Sequence, residues 1–130
     1  MNTDSDPNGQ GLAVKAEALY IINLMLAPGI GFVFLALLWL KHHRSAPPLA
    51  RNHLAQTFFV SLWGAVLLVL ACGLIILLGG MDWAWTWVIV VLYFTTVHST
   101  LILFGVLGLA KAMAGKPYVF PMIGVKNSGE

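Results

Sequence analysis

The sequence predicts an all-α membrane protein with three transmembrane helices, at about residues 20–40, 58–78 and 84–110. Three observations carry that reading. Of the 130 residues, 59% are hydrophobic and 9% charged, whereas soluble domains hold charged residues at about 25%. Each of the three runs is free of Lys, Arg, Asp and Glu, and each reaches the roughly 20 residues a helix needs to cross a hydrocarbon core about 30 Å thick. The cations gather in the intervals beside those runs. A net charge of +2 without a basic tract excludes a nucleic-acid partner. Cys72 is the single cysteine, so neither an intrachain disulfide nor a cysteine metal site can form.

Residues 1–17 are rich in Gly, Asn and Asp and predict a disordered outer tail, because too few apolar side chains stand there to repay ordering. The tail lacks the basic start of a cleaved signal peptide. Residues 18–124 form one membrane domain, and 125–130 a frayed cytoplasmic end. The first run, 20–40, contains Ala27-Pro28-Gly29-Ile30-Gly31. A proline inside a helix removes a backbone donor and opens the preceding turn, so a kinked span is expected. Asn23, one turn earlier, is costly to face toward lipid; it bonds inside the bundle or marks a ligand site.

The interval 41–56 is the polar connector, with Lys41, Arg44 and Arg51 beside His42, His43 and His53. Within it Ser45-Ala46-Pro47-Pro48 is a helix start signal, since a first turn tolerates proline. A helix from Pro48 through residue 78 is about 45 Å long at 1.5 Å per residue, so its first two turns belong to the headgroup zone. Ser61, Gly64, Ala65 and Cys72 then give the second span a stripe of small side chains suited to close helix contact. Gly79-Gly80-Met81-Asp82 is a tight turn, followed by Trp83, Trp85 and Trp87 at an interface depth. The third span, with Gly105 and Gly108, ends at Lys111, as a helix C-terminus prefers. Gly115 can take a left-handed cap, and Pro117 and Pro121 forbid further helix, so residues 115–121 predict an extended arm lying back along the interface.

Orientation follows from Lys and Arg in short loops, which stay on the cytoplasmic side. Three spans place Lys41, Arg44, Arg51, Lys111, Lys116 and Lys126 on one face and Lys15 alone on the other. The expectation is therefore a multi-pass protein of a bacterial inner membrane, N-terminus out and C-terminus in, with Asp82 and the tryptophans on the periplasmic side.

Candidate chemistry is sparse. His98, with Thr95 one turn before it, lies near mid-depth of the third span, where an ionisable group is a functional hypothesis by default. It can serve as a proton relay, as a haem ligand, or as a neutral imidazole bonded to another helix. No carboxylate pair stands in the spans, and neither phosphate-loop nor nucleophile-elbow spacing occurs. The expected protein is not an enzyme, with no cofactor, metal or catalytic residue. Interaction candidates are Arg51, His53 and Gln56 on the first interfacial turns of the second helix, with Tyr118 and Pro121 on the arm.

The pattern PLARNHLAQTF entering a long apolar helix, followed by a further span and then GKPYVFPMIG, resembles a bacterial domain-of-unknown-function family of small multi-span membrane proteins. That family is loosely similar to the chloroplast inner-envelope translocon family. The resemblance covers residues 20–124 and rests on Pro48, Arg51, His53, Gln56, Gly115, Lys116, Tyr118 and Pro121. It implies a small helical bundle with His and Gln at the start of one helix and a Gly-Lys-x-Tyr-x-x-Pro tail. The expected role is a non-catalytic accessory or assembly subunit that sits in the lipid bilayer and packs against a membrane-protein partner or copies of itself. A transport module using Asn23 and His98, or a haem- or quinone-linked electron-transfer subunit, is the alternative.

Overall fold

A computed structural model describes residues 8–125. The described residues form four helices: α1 (Gln10–Met25), α2 (Ile30–His42), α3 (Pro48–Gly79) and α4 (Ala84–Met113). Two of them, α3 with 32 residues and α4 with 30, are long and apolar enough to cross a membrane. At 1.5 Å per residue they measure roughly 48 and 45 Å. As expected, α3 starts with proline in its first turn and extends well beyond a hydrocarbon core.

The expected first span is not a span. The run 20–40 is divided between α1 and α2, and the expected kink is a complete reversal of the chain. Gly29 takes φ 87°, a conformation that favours glycine, and opens α2. Asn23 makes the reversal possible: its Oδ1 accepts from the amides of Gly29 at 2.8 Å and Phe32 at 3.0 Å, which otherwise have no helical partner. At Gly31 the two arms of the hairpin touch backbone to backbone; a Cβ there would stand 2.7 Å from the Cα of Asn23. With 16 and 13 residues, the arms are roughly 24 and 20 Å long, too short for a crossing.

The outer tail is corrected as well. Residues 10–17 belong to α1, and Ala13, Ala16, Glu17 and Tyr20 are all buried, at the i, i+3, i+4, i+7 spacing of one helical face. Residues 1–7 and 126–130 lie outside the described residues. The buried face of α1 runs antiparallel along α4. Gln10 donates to the carbonyl of Met113 at 2.7 Å, Tyr20 to that of Leu101 at 3.1 Å, and His98 to that of Leu24 at 2.9 Å. Gly105 and Gly108 of the third predicted span are filled from within the chain. Added Cβ atoms would come 2.6 Å from the Tyr20 ring and 2.6 Å from the Glu17 carboxylate, respectively.

The start of α1, the end of α2, the start of α3 and the end of α4 therefore share one end of the bundle. Lys15, Lys41, Arg44, Arg51, Lys111 and Lys116 all fall at that end, so Lys15 is not set apart from the other cations of the described residues. The hairpin tip reaches only as far as His98, halfway along α4. Past it, α3 and α4 continue alone.

Aromatic packing holds α2 on α3: Trp39 stacks on Phe58 at 4.3 Å and 6°, with His43 on its other face at 4.3 Å and 14°. Within α3, residues Val66–Leu70 form a π-turn, in which Ala71 bonds to the carbonyl of Val66. The neighbouring Leu67 carbonyl accepts the Tyr93 hydroxyl of α4 at 2.7 Å, satisfying an acceptor that the wider turn exposes. At the far end Thr86 is buried against Gly79, and the Trp87 indole donates to the carbonyl of Met81 at 2.8 Å.

Candidate functional site

The first two turns of α3 carry Arg51, Asn52, His53 and Gln56, and the arm after α4 returns to meet them. Gly115 at φ 71° ends α4 and turns the chain back. The Asn52 side-chain oxygen accepts the Tyr118 amide at 2.8 Å. That of Gln56 accepts the amides of Phe120 and Val125, both at 3.2 Å, while its amide group donates to the Val125 carbonyl. These side chains replace a strand partner for a segment that the prolines bar from helix. Phe120 is buried edge-on against Tyr20 at 5.2 Å, and Tyr118 against Phe120 at 5.0 Å.

His53 is the centre of the closure and is fully buried. One ring nitrogen, Nε2, lies 2.8 Å from the Lys116 carbonyl, and Nδ1 lies 2.6 Å from Glu17 Oε1. A carbonyl only accepts, so Nε2 carries a proton. Across the 2.6 Å contact sits one more, either on the imidazole facing a carboxylate or on the carboxyl facing a neutral ring. Both arrangements keep the pair neutral as a whole, which its burial requires. Desolvation pushes the Glu17 carboxyl above its ordinary value of 4.5, against the opposing pull of His53. Burial, then the Glu17 charge, raises the Tyr118 phenol too. Glu17 Oε2 and the Tyr118 hydroxyl have no hydrogen-bond partner among the described residues.

The remaining sequence-predicted residues separate. Arg51 donates to the Ala46 carbonyl at 3.1 Å and so fastens the connector. Pro121 is exposed in the turn that closes the arm. Thr95 is exposed and is not among the residues that line the cavity beside His98. Asn23 and His98, by contrast, do meet: both line a cavity of about 460 Å³ between the hairpin tip and the walls of α3 and α4. Ser61 of the expected small-residue stripe lies on the same cavity.

Glu17 and Tyr20 are the functional residues that sequence reasoning missed. Their signal was the buried spacing 13, 16, 17, 20, hidden by the polar composition of the residues before it. The arrangement of His53, Glu17 and the arm carries one shared proton and ties α1, the start of α3 and the arm together. No family model matches the chain, and no match is found among curated proteins or solved structures.

Proposed function

We propose that the chain is a small integral protein of a bacterial inner membrane, acting as a non-catalytic accessory or assembly subunit of a membrane complex. Its basic end faces the cytoplasm, and both chain ends lie on that side. The single observation behind the role is how the polar groups are spent. Asn52, His53 and Gln56 are all committed to the chain's own arm. What the molecule offers to a neighbour is the apolar surface of α3 and α4, with Val69, Leu74, Leu77, Val91 and Leu92 all more than half exposed. Every Lys and Arg of the described residues at one end supports the orientation. The two segments that resemble the small multi-span family lie against each other, which supports that kinship without naming an activity.

Affinity purification after mild solubilisation tests the role; a strictly monomeric, partnerless protein would overturn it. Reporters fused to either end test the orientation, and an exported C-terminal reporter would reverse it. A transport module is the second reading, favoured by a half-depth hairpin standing over a cavity that holds Asn23 and His98. It requires proteoliposome flux that His98→Ala abolishes; absent or unchanged flux removes it.

A further inference from the structure

The cavity beneath the hairpin tip has about 460 Å³ of room and a lining whose polar side chains are Tyr20, Asn23, Ser61 and His98. Space for on the order of a dozen waters would demand several polar partners for each, and the walls offer a handful in all. An apolar body must fill most of it. The volume falls within the 300–1,000 Å³ or so of small-molecule sites.

The few polar groups define the rest of the occupant. Tyr20 is committed, donating to the Leu101 carbonyl. The His98 Nε2 proton goes to the Leu24 carbonyl at 2.9 Å, which in the neutral ring leaves Nδ1 as an acceptor. The Ser61 proton goes to the Thr57 carbonyl at 2.6 Å, leaving its oxygen as an acceptor. Asn23 spends its oxygen on two amides and keeps an NH₂ group to donate. Two acceptors and one donor around one apolar space match a hydroxyl group, which both donates and accepts. A carboxylate or phosphate would meet two acceptors and no cation. Phe32 of α2 and Phe94 of α4 both line the space, and the Phe94 ring stacks on His98 at 5.0 Å.

We infer that this cavity binds a neutral lipid with a hydroxyl at one end of an apolar body, the hydroxyl seated between His98 and Asn23. The inference rests on the bilayer reading of α3 and α4 and on no protein partner.

The full chain in nanodiscs is titrated with decylhydroquinone under reducing conditions, with decanol, with the dimethyl ether of decylhydroquinone, and with dodecane. Binding is read by thermal stability and by the ¹⁵N resonance of His98 Nδ1, which moves when that nitrogen accepts a hydrogen bond. At least one hydroxyl-bearing probe shifts the resonance and binds about tenfold tighter than the ether, as one satisfied hydrogen bond allows. Binding of the hydroquinone alone assigns a ring head; binding of both hydroxyl probes assigns the hydroxyl itself. Ala65→Phe, which puts a bulky ring into the cavity lining, abolishes binding while the protein stays folded. His98→Phe equalises hydroquinone and ether. Equal affinity for ether and hydroxyl forms, an unmoved resonance, or no binding at all would overturn the inference. A chain that stays folded and soluble without detergent or lipid would instead remove the bilayer reading, whatever it binds.

Discussion

The two halves of this molecule solve different problems with the same kind of helix. At the basic end α1, α2, the first turns of α3, the last turns of α4 and the arm enclose Glu17, Asn52, His53 and Gln56, each no more than 2% exposed. In the distal half, α3 and α4 touch each other alone, and large apolar side chains such as Leu77 and Leu78 stand about 80% exposed. The first half excludes its solvent and so pairs most of its buried polar groups internally, Glu17 Oε2 and the Tyr118 hydroxyl being the exceptions named above. The second half presents a continuous apolar surface, as a helix able to cross a membrane does. The difference teaches that enclosure within the chain and an outward apolar surface follow separate rules: polar complementarity governs the former, uniform apolarity marks the latter.

Removing one partner of the buried pair should produce the largest effect. His53→Ala leaves Glu17 enclosed without its partner and is expected to destabilise by about 3–5 kcal/mol, read by denaturant unfolding in detergent. Glu17→Gln, which keeps a hydrogen-bonding side chain, costs less, and the double substitution reveals the coupling as a deficit in the sum.

Glycines sharpen the contrast next. Gly105→Ala drives a methyl group to 2.6 Å from the Tyr20 ring and should cost about 1–3 kcal/mol by overpacking. Gly73→Ala, in the distal half with nothing within 4 Å, is expected to be neutral or to stabilise the helix by up to ~1 kcal/mol. Equal melting temperatures for the two variants would erase the distinction between the halves.

Gln56→Leu strands the amides of Phe120 and Val125 and should cost about 1–3 kcal/mol, with faster proteolytic clipping after Lys116 as a second readout. A melt that falls without new clipping would mean that Gln56 does not hold the arm. The smallest effect depends on pH. With the shared proton on the Glu17 carboxyl, whose value desolvation raises from 4.5, the folded carboxyl keeps a proton that the unfolded carboxyl has released. That contribution is complete below pH 4.5 and is lost as pH climbs through the raised value, at no more than about 1.4 kcal/mol per pH unit. Wild type should therefore lose stability across this window relative to Glu17→Gln; parallel curves would contradict the assignment.

Much of this architecture was legible in the sequence, and the failures have one origin. The two long helices, the start of α3 at Pro48 and the proline-terminated arm follow from local chemistry: charge-free length, Pro48 in a first turn, Gly115 before two prolines. The reversal at residues 26–29 does not. An uncharged run of 21 residues containing Pro28 reads as a kinked span, because Asn23 bonding across the turn is visible in three dimensions alone. Glu17 was assigned to a tail for the same reason, its partner His53 being 36 positions away. Lys15, which three spans would set apart from the other cations, was the one trace of the reversal in the sequence.

The contact between Gln10 and Met113 spans 103 positions, nearly the whole chain. On the ribosome, α1 emerges first while the groove it occupies is completed last, by Tyr20 against Leu101 and Glu17 beside Gly108. Until α4 has been made, the buried face of α1 lacks the wall that α4 supplies, so closure of this fold waits for the last helix to be synthesised.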